Sequence, residues 1–137
     1  MKTRNILVSA VLLLLLVAGI FVYQYNKPAR NINGEEAIRI TAEQLFQQFS
    51  TNEQVANTRY LNKVVEVNGD VVDIKHTEQG KDVVILKSSD PMFGTSCTLA
   101  NNSGEMAMLK PGDKATLKGI CTGYLTDVVL IRGELIK

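Results

Sequence analysis

The chain has 137 residues, with 15 Lys and Arg against 14 Asp and Glu, two cysteines, one histidine and no tryptophan. That length holds one ordinary domain, and beyond Lys2 and Arg4 the balance is 13 basic to 14 acidic residues. A domain that grips nucleic acid chiefly through phosphates carries a basic surplus, so the near-neutral total excludes a strongly basic binder and leaves room only for a local patch.

Ile6 to Tyr23, "ILVSAVLLLLLVAGIFVY", is an uncharged apolar run. About eighteen residues at roughly 1.5 Å each cross most of a bilayer core of about 30 Å. A cleaved signal peptide has a shorter apolar core followed by a small-residue cleavage site. Here the run passes Ala18-Gly19 and continues into "IFVYQY", with no cysteine near its end to accept a lipid. Residues 1–25 therefore read as an uncleaved transmembrane anchor. Basic residues stay on the cytoplasmic side; Lys2 and Arg4 precede the run, while Lys27 and Arg30 follow it. The short tail favours an N terminus inside, a single pass through the cytoplasmic (inner) membrane, and a periplasmic C-terminal domain.

Residues 26–40 mix Pro28, Gly34, asparagines and charges without periodicity and read as a linker. At Thr41 the pattern "TAEQ" fits a helix-capping box. Leu45, Phe46 and Phe49 then form one stripe at helical spacing, with Val55 extending it past a break at Ser50-Thr51-Asn52. Such a stripe is core packing.

From Lys63 the period becomes two. "KVVEVNGDVVDIK" is a long strand with Gly69 marking a bulge or bend. A turn around Gly80 leads to a second strand, "DVVILKS", and after "SDPMFG" comes a third, "TSCTLA". Ser103 caps a short helix over "GEMAML" that stops before Pro111, and "PGDKATLKGICTGY" and "DVVLIRGELI" supply two more strands. Three strands, a helix and two strands is the order of an OB-fold, a five-stranded Greek-key barrel. The expected architecture is mainly β: residues 41–137 form that barrel with an N-terminal helix packed on it, preceded by one transmembrane helix.

The segments "TAEQLFQQFSTNEQVANTRY", "YLNKVVEVNGDVVDI", "MFGTSCTLA" and "LKPGDKATLKGICTGYLTDVVLIRGELI" resemble the bacterial tRNA_anti-like OB-fold family, over about Thr41 to Ile136. The resemblance implies the fold. It brings no catalytic residue, cofactor or ligand set with it.

Strand parity points Ala115, Leu117, Gly119 and Cys121 one way, and Cys97 with Leu99 likewise, so both sulfurs face the barrel interior. A zinc site needs about four ligands, and His76 in a turn beside two distant cysteines does not supply them. No C-x-x-C redox pair is present. A Cys97–Cys121 disulfide, suited to an oxidising compartment, or two buried thiols acting as small hydrophobes, remain; the disulfide is the expectation.

Ser88, Ser89 and Asp90 lack a G-x-S-x-G setting and read as turn residues, and Asp70, Asp73 and His76 show no arrangement for acid-base work. No enzymatic activity, cofactor or metal is expected. Barrels of this kind that bind single strands combine a basic groove with stacking aromatics, and the second and third strands carry no aromatic. Met92 and Phe93 sit on a loop, as a contact site or as a lid on the core. The expected function is a non-catalytic, membrane-tethered binding module with a concave patch over the second and third strands, rimmed by Lys75, Lys81, Lys87, Met92 and Phe93. Fold analogy allows nucleic acid or oligosaccharide as ligand; the alternative is an envelope protein partner and no small ligand.

Overall fold

A computed structural model describes residues 2–26, 30–100 and 108–136. The chain divides into two units, Met1–Asn31 and Ile32–Lys137. The first is the helix α1, Lys2–Tyr25. Its stretch Val8–Tyr25 has a mean hydropathy of 2.2, and none of it is buried within the chain. A helix apolar on all sides needs an apolar surrounding, and α1 is long and apolar enough to cross a membrane. Within its apolar run the Ser9 hydroxyl donates to the carbonyl of Ile6 at 2.9 Å, which satisfies a polar donor inside the helix itself.

The second unit runs β1 (Ile38–Thr41), α2 (Ala42–Thr51), α3 (Glu53–Tyr60), β2 (Val64–His76), β3 (Asp82–Leu86), β4 (Thr95–Leu99), β5 (Lys114–Tyr124) and β6 (Val128–Ile136). The strands follow the order β1-β2-β3-β4-β6-β5, and β5 returns to pair with β2. Five strands thus close into the expected OB barrel, with β4 and β6 parallel and the other pairings around the ring antiparallel. The strand β2 serves two neighbours. Its first half, Val64 to Asp70, pairs with β5, and its second half, from Val71, pairs with β3. The change of partner coincides with a register shift between Val71 and Asp73, just past Gly69. A Cβ on Gly69 would lie 2.9 Å from the Cβ of Ala42, so the missing side chain is what lets α2 approach β2.

Two elements differ from the sequence expectation. The stretch read as linker, residues 26–40, ends in β1, which pairs in parallel with β2 from Ile38↔Val65 to Thr41↔Asn68. Four residues carry too little alternation to announce a strand; pairing with β2 makes one. The helical segment is also two helices. Thr41 caps α2, its hydroxyl accepting from Gln44 N at 3.1 Å, and Asn52 caps α3, its side chain accepting from Val55 N at 3.1 Å. Asn52 has an extended backbone (φ −153°, ψ 91°), which resets the helical phase. Val55 consequently faces solvent at 63% exposure, and Ala56 and Tyr60 enter the core in its place. Of the predicted helix over "GEMAML", residues 104–107 and its cap Ser103 lie outside the described residues.

The barrel core holds Val65, Val67, Val84, Leu86, Leu117, Val128 and Leu130, all fully buried. Each such side chain contributes roughly 1.5–3 kcal/mol by leaving water. Leu45, Phe46 and Phe49 of α2 join this core. Phe49 stacks on Tyr124 at 5.9 Å between ring centroids, and Phe46 meets the same ring edge-on at 5.8 Å. The two helices therefore close one end of the barrel. A second, smaller cluster of Ile32, Val64 and Ile120, with Ala37 against it, forms on the outside of the sheet. There Lys118 is buried, and its ammonium donates to the carbonyl of Glu35 at 2.8 Å.

Candidate functional site

Pairing registers define the outward face of β3, β4 and β6. Lys75 stands opposite Val83, and Val83 opposite Thr98; in the next row Asp73 faces Ile85, Ile85 faces Ser96, and Ser96 faces Val129. The alternate residues Val84, Leu86, Cys97, Leu99, Val128 and Leu130 point into the core. Val83, Ile85, Ser96, Thr98 and Val129 are each half-buried, and the result is a mildly apolar surface with hydroxyls beside it. Parity alone does not reveal this face, because "DVVIL" is apolar at both alternate sets of positions; burial decides which set looks out.

The expected rim residues fall at the two ends of β3. Lys75 and Lys81 are exposed at the β2–β3 end, where the turn is closed by Thr77 N donating to Lys81 O at 2.8 Å. Met92 and Phe93 lie on the β3–β4 loop at the other end, 80% and 39% exposed. That loop is held from inside. Asp90 Oδ1 accepts from the amides of Met92 and Phe93 at 2.8 and 3.1 Å, and the Ser88 hydroxyl donates to the Phe93 carbonyl. It is also tied to the β5–β6 loop, because Gly94 N donates to Asp127 Oδ1 at 2.7 Å and Val128 N to Gly94 O at 3.0 Å. Leu125 on that second loop is 84% exposed, so each of the two tied loops carries an exposed apolar side chain. The sequence reading passed over Leu125; its signal, an isolated leucine in the turn "YLTD", is weak without knowledge of the neighbouring loop.

Lys87 stands apart from Lys75 and Lys81. It lines a polar cleft of about 500 Å³ with Asn68, Asp70, Ser89 and Lys114, and its amide donates to Asp70 O at 2.8 Å. The cleft's two lysines are offset by Asp70 and Glu43 on its walls. The other acid-base candidates are occupied structurally. His76 Nδ1 is paired with the carboxylate of buried Asp82, and Asp73 Oδ1 accepts from its neighbour Ile74 N at 2.9 Å. Among the described residues no three His, Cys, Asp or Glu side chains gather in a way that would hold a metal ion.

Both cysteines are fully buried, as parity requires, and both are free. The expected disulfide is corrected by topology. Leu130 of β6 is the register partner of Cys97 on one side and of Cys121 on the other. Two strand spacings of about 4.8 Å place the Cα atoms roughly 9–10 Å apart, beyond the ~7 Å limit for a bridge. Burial pushes the Cys97 thiol up to about 12 and raises that of Cys121 as well, the latter partly opposed by the backbone amide of Gly123. Both are protonated, inert core groups at neutral pH.

No curated protein shows significant similarity to the chain. Among solved structures, a crystal structure of a "putative nucleic acid-binding lipoprotein" from Klebsiella pneumoniae is similar, with a TM-score of 0.58 and 24% identity over 72% of this chain and 92% of that one. At that identity the likeness concerns the fold. The tRNA_anti-like family model matches residues 1–135, taking in α1 as well as the barrel, and the chain belongs to the tRNA_anti-like family.

Proposed function

We propose that the chain is a non-catalytic binding module, held at the cytoplasmic membrane by α1 with its N terminus inside and its barrel outside the cytoplasm. In this reading the barrel lays a single-stranded nucleic acid across the outward face of β3, β4 and β6. The observation that carries it is the open row from Lys75 through Val83 to Thr98 beside Ile85, Ser96 and Val129, with Lys81 at one end and Phe93 at the other. OB barrels take oligonucleotides and oligosaccharides over the corresponding strands, and the similar Klebsiella structure is described as nucleic acid-binding. Lys75 and Lys81 supply phosphate contacts, and Phe93 is the one aromatic on that side available for a base to stack on. With two cations and one ring, affinity is modest and depends on salt.

Fluorescence anisotropy of the full chain in detergent, titrated into labelled oligodeoxythymidine and oligouridine, tests this. Binding that weakens as salt rises, and that an uncharged oligosaccharide of similar length does not reproduce, supports the nucleic-acid reading. Saturable binding of the oligosaccharide alone shifts the ligand class, and no binding of either removes the reading.

A second reading, an envelope protein partner, draws on the exposed apolar side chains of Met92, Phe93 and Leu125 on two hydrogen-bonded loops. Crosslinking from cysteine substitutions at Met92 and Leu125 in intact membranes distinguishes it: one discrete heterologous product supports a partner, and none leaves the strand face as the site.

A further inference from the structure

We propose that the chain has a second recognition site, distinct from the strand face: the free edge of β1 accepts an extended, acidic peptide of a partner protein as an added strand. The strand β1 is the end of the sheet order and, among the described residues, pairs only with β2, so its other edge presents backbone N–H and C=O groups with no strand partner among those residues. A groove of about 530 Å³ runs along it. Consecutive strand residues point to opposite faces, yet Ile38, Arg39 and Ile40 all line this one groove. A groove that touches both faces of a strand runs along its edge. That is the geometry in which a peptide adds to a sheet through main-chain hydrogen bonds, with side-chain pockets giving selectivity.

The far wall comes from α3. Val55, which the phase break at Asn52 turns outward to 63% exposure, stands there with Arg59. The charge of the groove names the occupant. Among the described residues its ionisable cations are Arg39 and Arg59, and no Asp or Glu lines it. Arg59 lies over the Tyr60 ring at 5.4 Å and forms no ion pair with a carboxylate among the described residues. Arg39 contacts Glu66 at 3.4 Å with its own side chain 83% exposed, an exposed pair that holds little energy and releases the guanidinium at small cost. Gln44, Gln47, Gln48 and Thr51 add uncharged hydrogen-bonding groups.

A fitting segment alternates Glu with a β-branched residue, which puts carboxylates on the Arg39 face and apolar side chains on the Ile38 and Ile40 face.

The test uses the full chain in detergent and three fluorescein-labelled peptides: an alternating Glu-Val peptide, its Lys-Val counterpart, and the Glu-Val peptide with a central proline, which removes a ladder donor. The Glu-Val peptide is expected to bind saturably, with the other two at least about tenfold weaker. Arg39→Gln with Arg59→Gln is expected to weaken the Glu-Val peptide by a similar factor while leaving the far-ultraviolet dichroism unchanged. Glutamine avoids repulsion of Glu66, so a loss reports the missing cations. Equal binding of the Lys-Val peptide, tolerance of the central proline, an unaffected double glutamine variant, or no saturable binding of the Glu-Val peptide each overturns the proposal. So does a light-scattering mass showing that the β1 edges pair two copies of this chain in a manner lost on Ile40→Pro. Oligonucleotide affinity of the double glutamine variant, measured alongside, separates this site from the strand face.

Discussion

The sulfur of Cys97 fills the space a side chain at Gly133 would need: a Cβ there would lie 2.3 Å from Sγ. Gly133 follows Arg132, whose φ of 53° carries the bulge that lets β6 shift register against β4 between Cys97 and Leu99. The glycine, the bulge and the thiol are one packing solution. Gly133→Ala is therefore expected to destabilise the barrel by about 1–3 kcal/mol through overpacking, and adding Cys97→Ala to recover part of that loss. Equilibrium denaturation of the two single variants and the double variant measures the coupling; additive effects would mean that the two residues do not share this space.

The buried thiol also sets a pH dependence. The unfolded thiol titrates near 9 and Cys97 in the fold near 12, so between these values the folded state holds the proton more tightly. Stability then falls as pH rises through that window, by on the order of 1 kcal/mol per pH unit, and is unaffected by this group below pH 9. The slope above pH 9 should be shallower in Cys97→Ala than in the natural chain. Parallel slopes would place the thiol in contact with water.

Without a bridge, denatured chain isolated under non-reducing conditions should release two equivalents of thiol to a disulfide reagent, while folded chain reacts slowly at neutral pH because both groups are buried. Fewer than two equivalents would show that oxidation rearranges β4 or β5.

Lys118 sits in register between Glu66 of β2 and Glu134 of β6, and its ammonium reaches the Glu35 carbonyl. Removing the charge loses a charge-assisted hydrogen bond, about 1.5–3 kcal/mol, and leaves two carboxylates flanking the position. Lys118→Ala should cost more than Lys118→Met, since methionine keeps much of the apolar stem that is buried at this position. Thermal denaturation of both variants checks the order; equal losses would assign the whole effect to charge.

On the strand face, Lys75→Ala with Lys81→Ala should reduce the salt slope of oligonucleotide binding by about 1.4, near 0.7 per phosphate contact on a single strand. Phe93→Ala should weaken binding by about 1–3 kcal/mol with the slope unchanged. A lysine pair without influence on the slope would move the phosphate path elsewhere on the barrel.

Local chemistry in the sequence determined a good deal. The Thr41 cap, the apolar stripe from Leu45 to Phe49, the order of the five barrel strands and the inward pointing of Cys97 and Cys121 all follow from neighbours a few residues apart. Hydrogen bonding at a helix end and two-residue alternation are short-range effects, legible wherever they occur. The uncharged length of α1 is equally plain in the amino-acid order.

What tertiary structure alone decided depends on which strands lie side by side. Ile38–Thr41 becomes β1 because β2 offers it an edge, and Lys118 is buried because the segment around Ile32 folds over it. The cysteines remain unbridged because β6 runs between their strands. Whether Val83 and Ile85 or Val84 and Leu86 faced water was likewise settled by closure of the barrel, since both sets are equally apolar. In each case the deciding contact joins residues far apart in the chain, where loop entropy and packing, rather than local propensity, select the outcome.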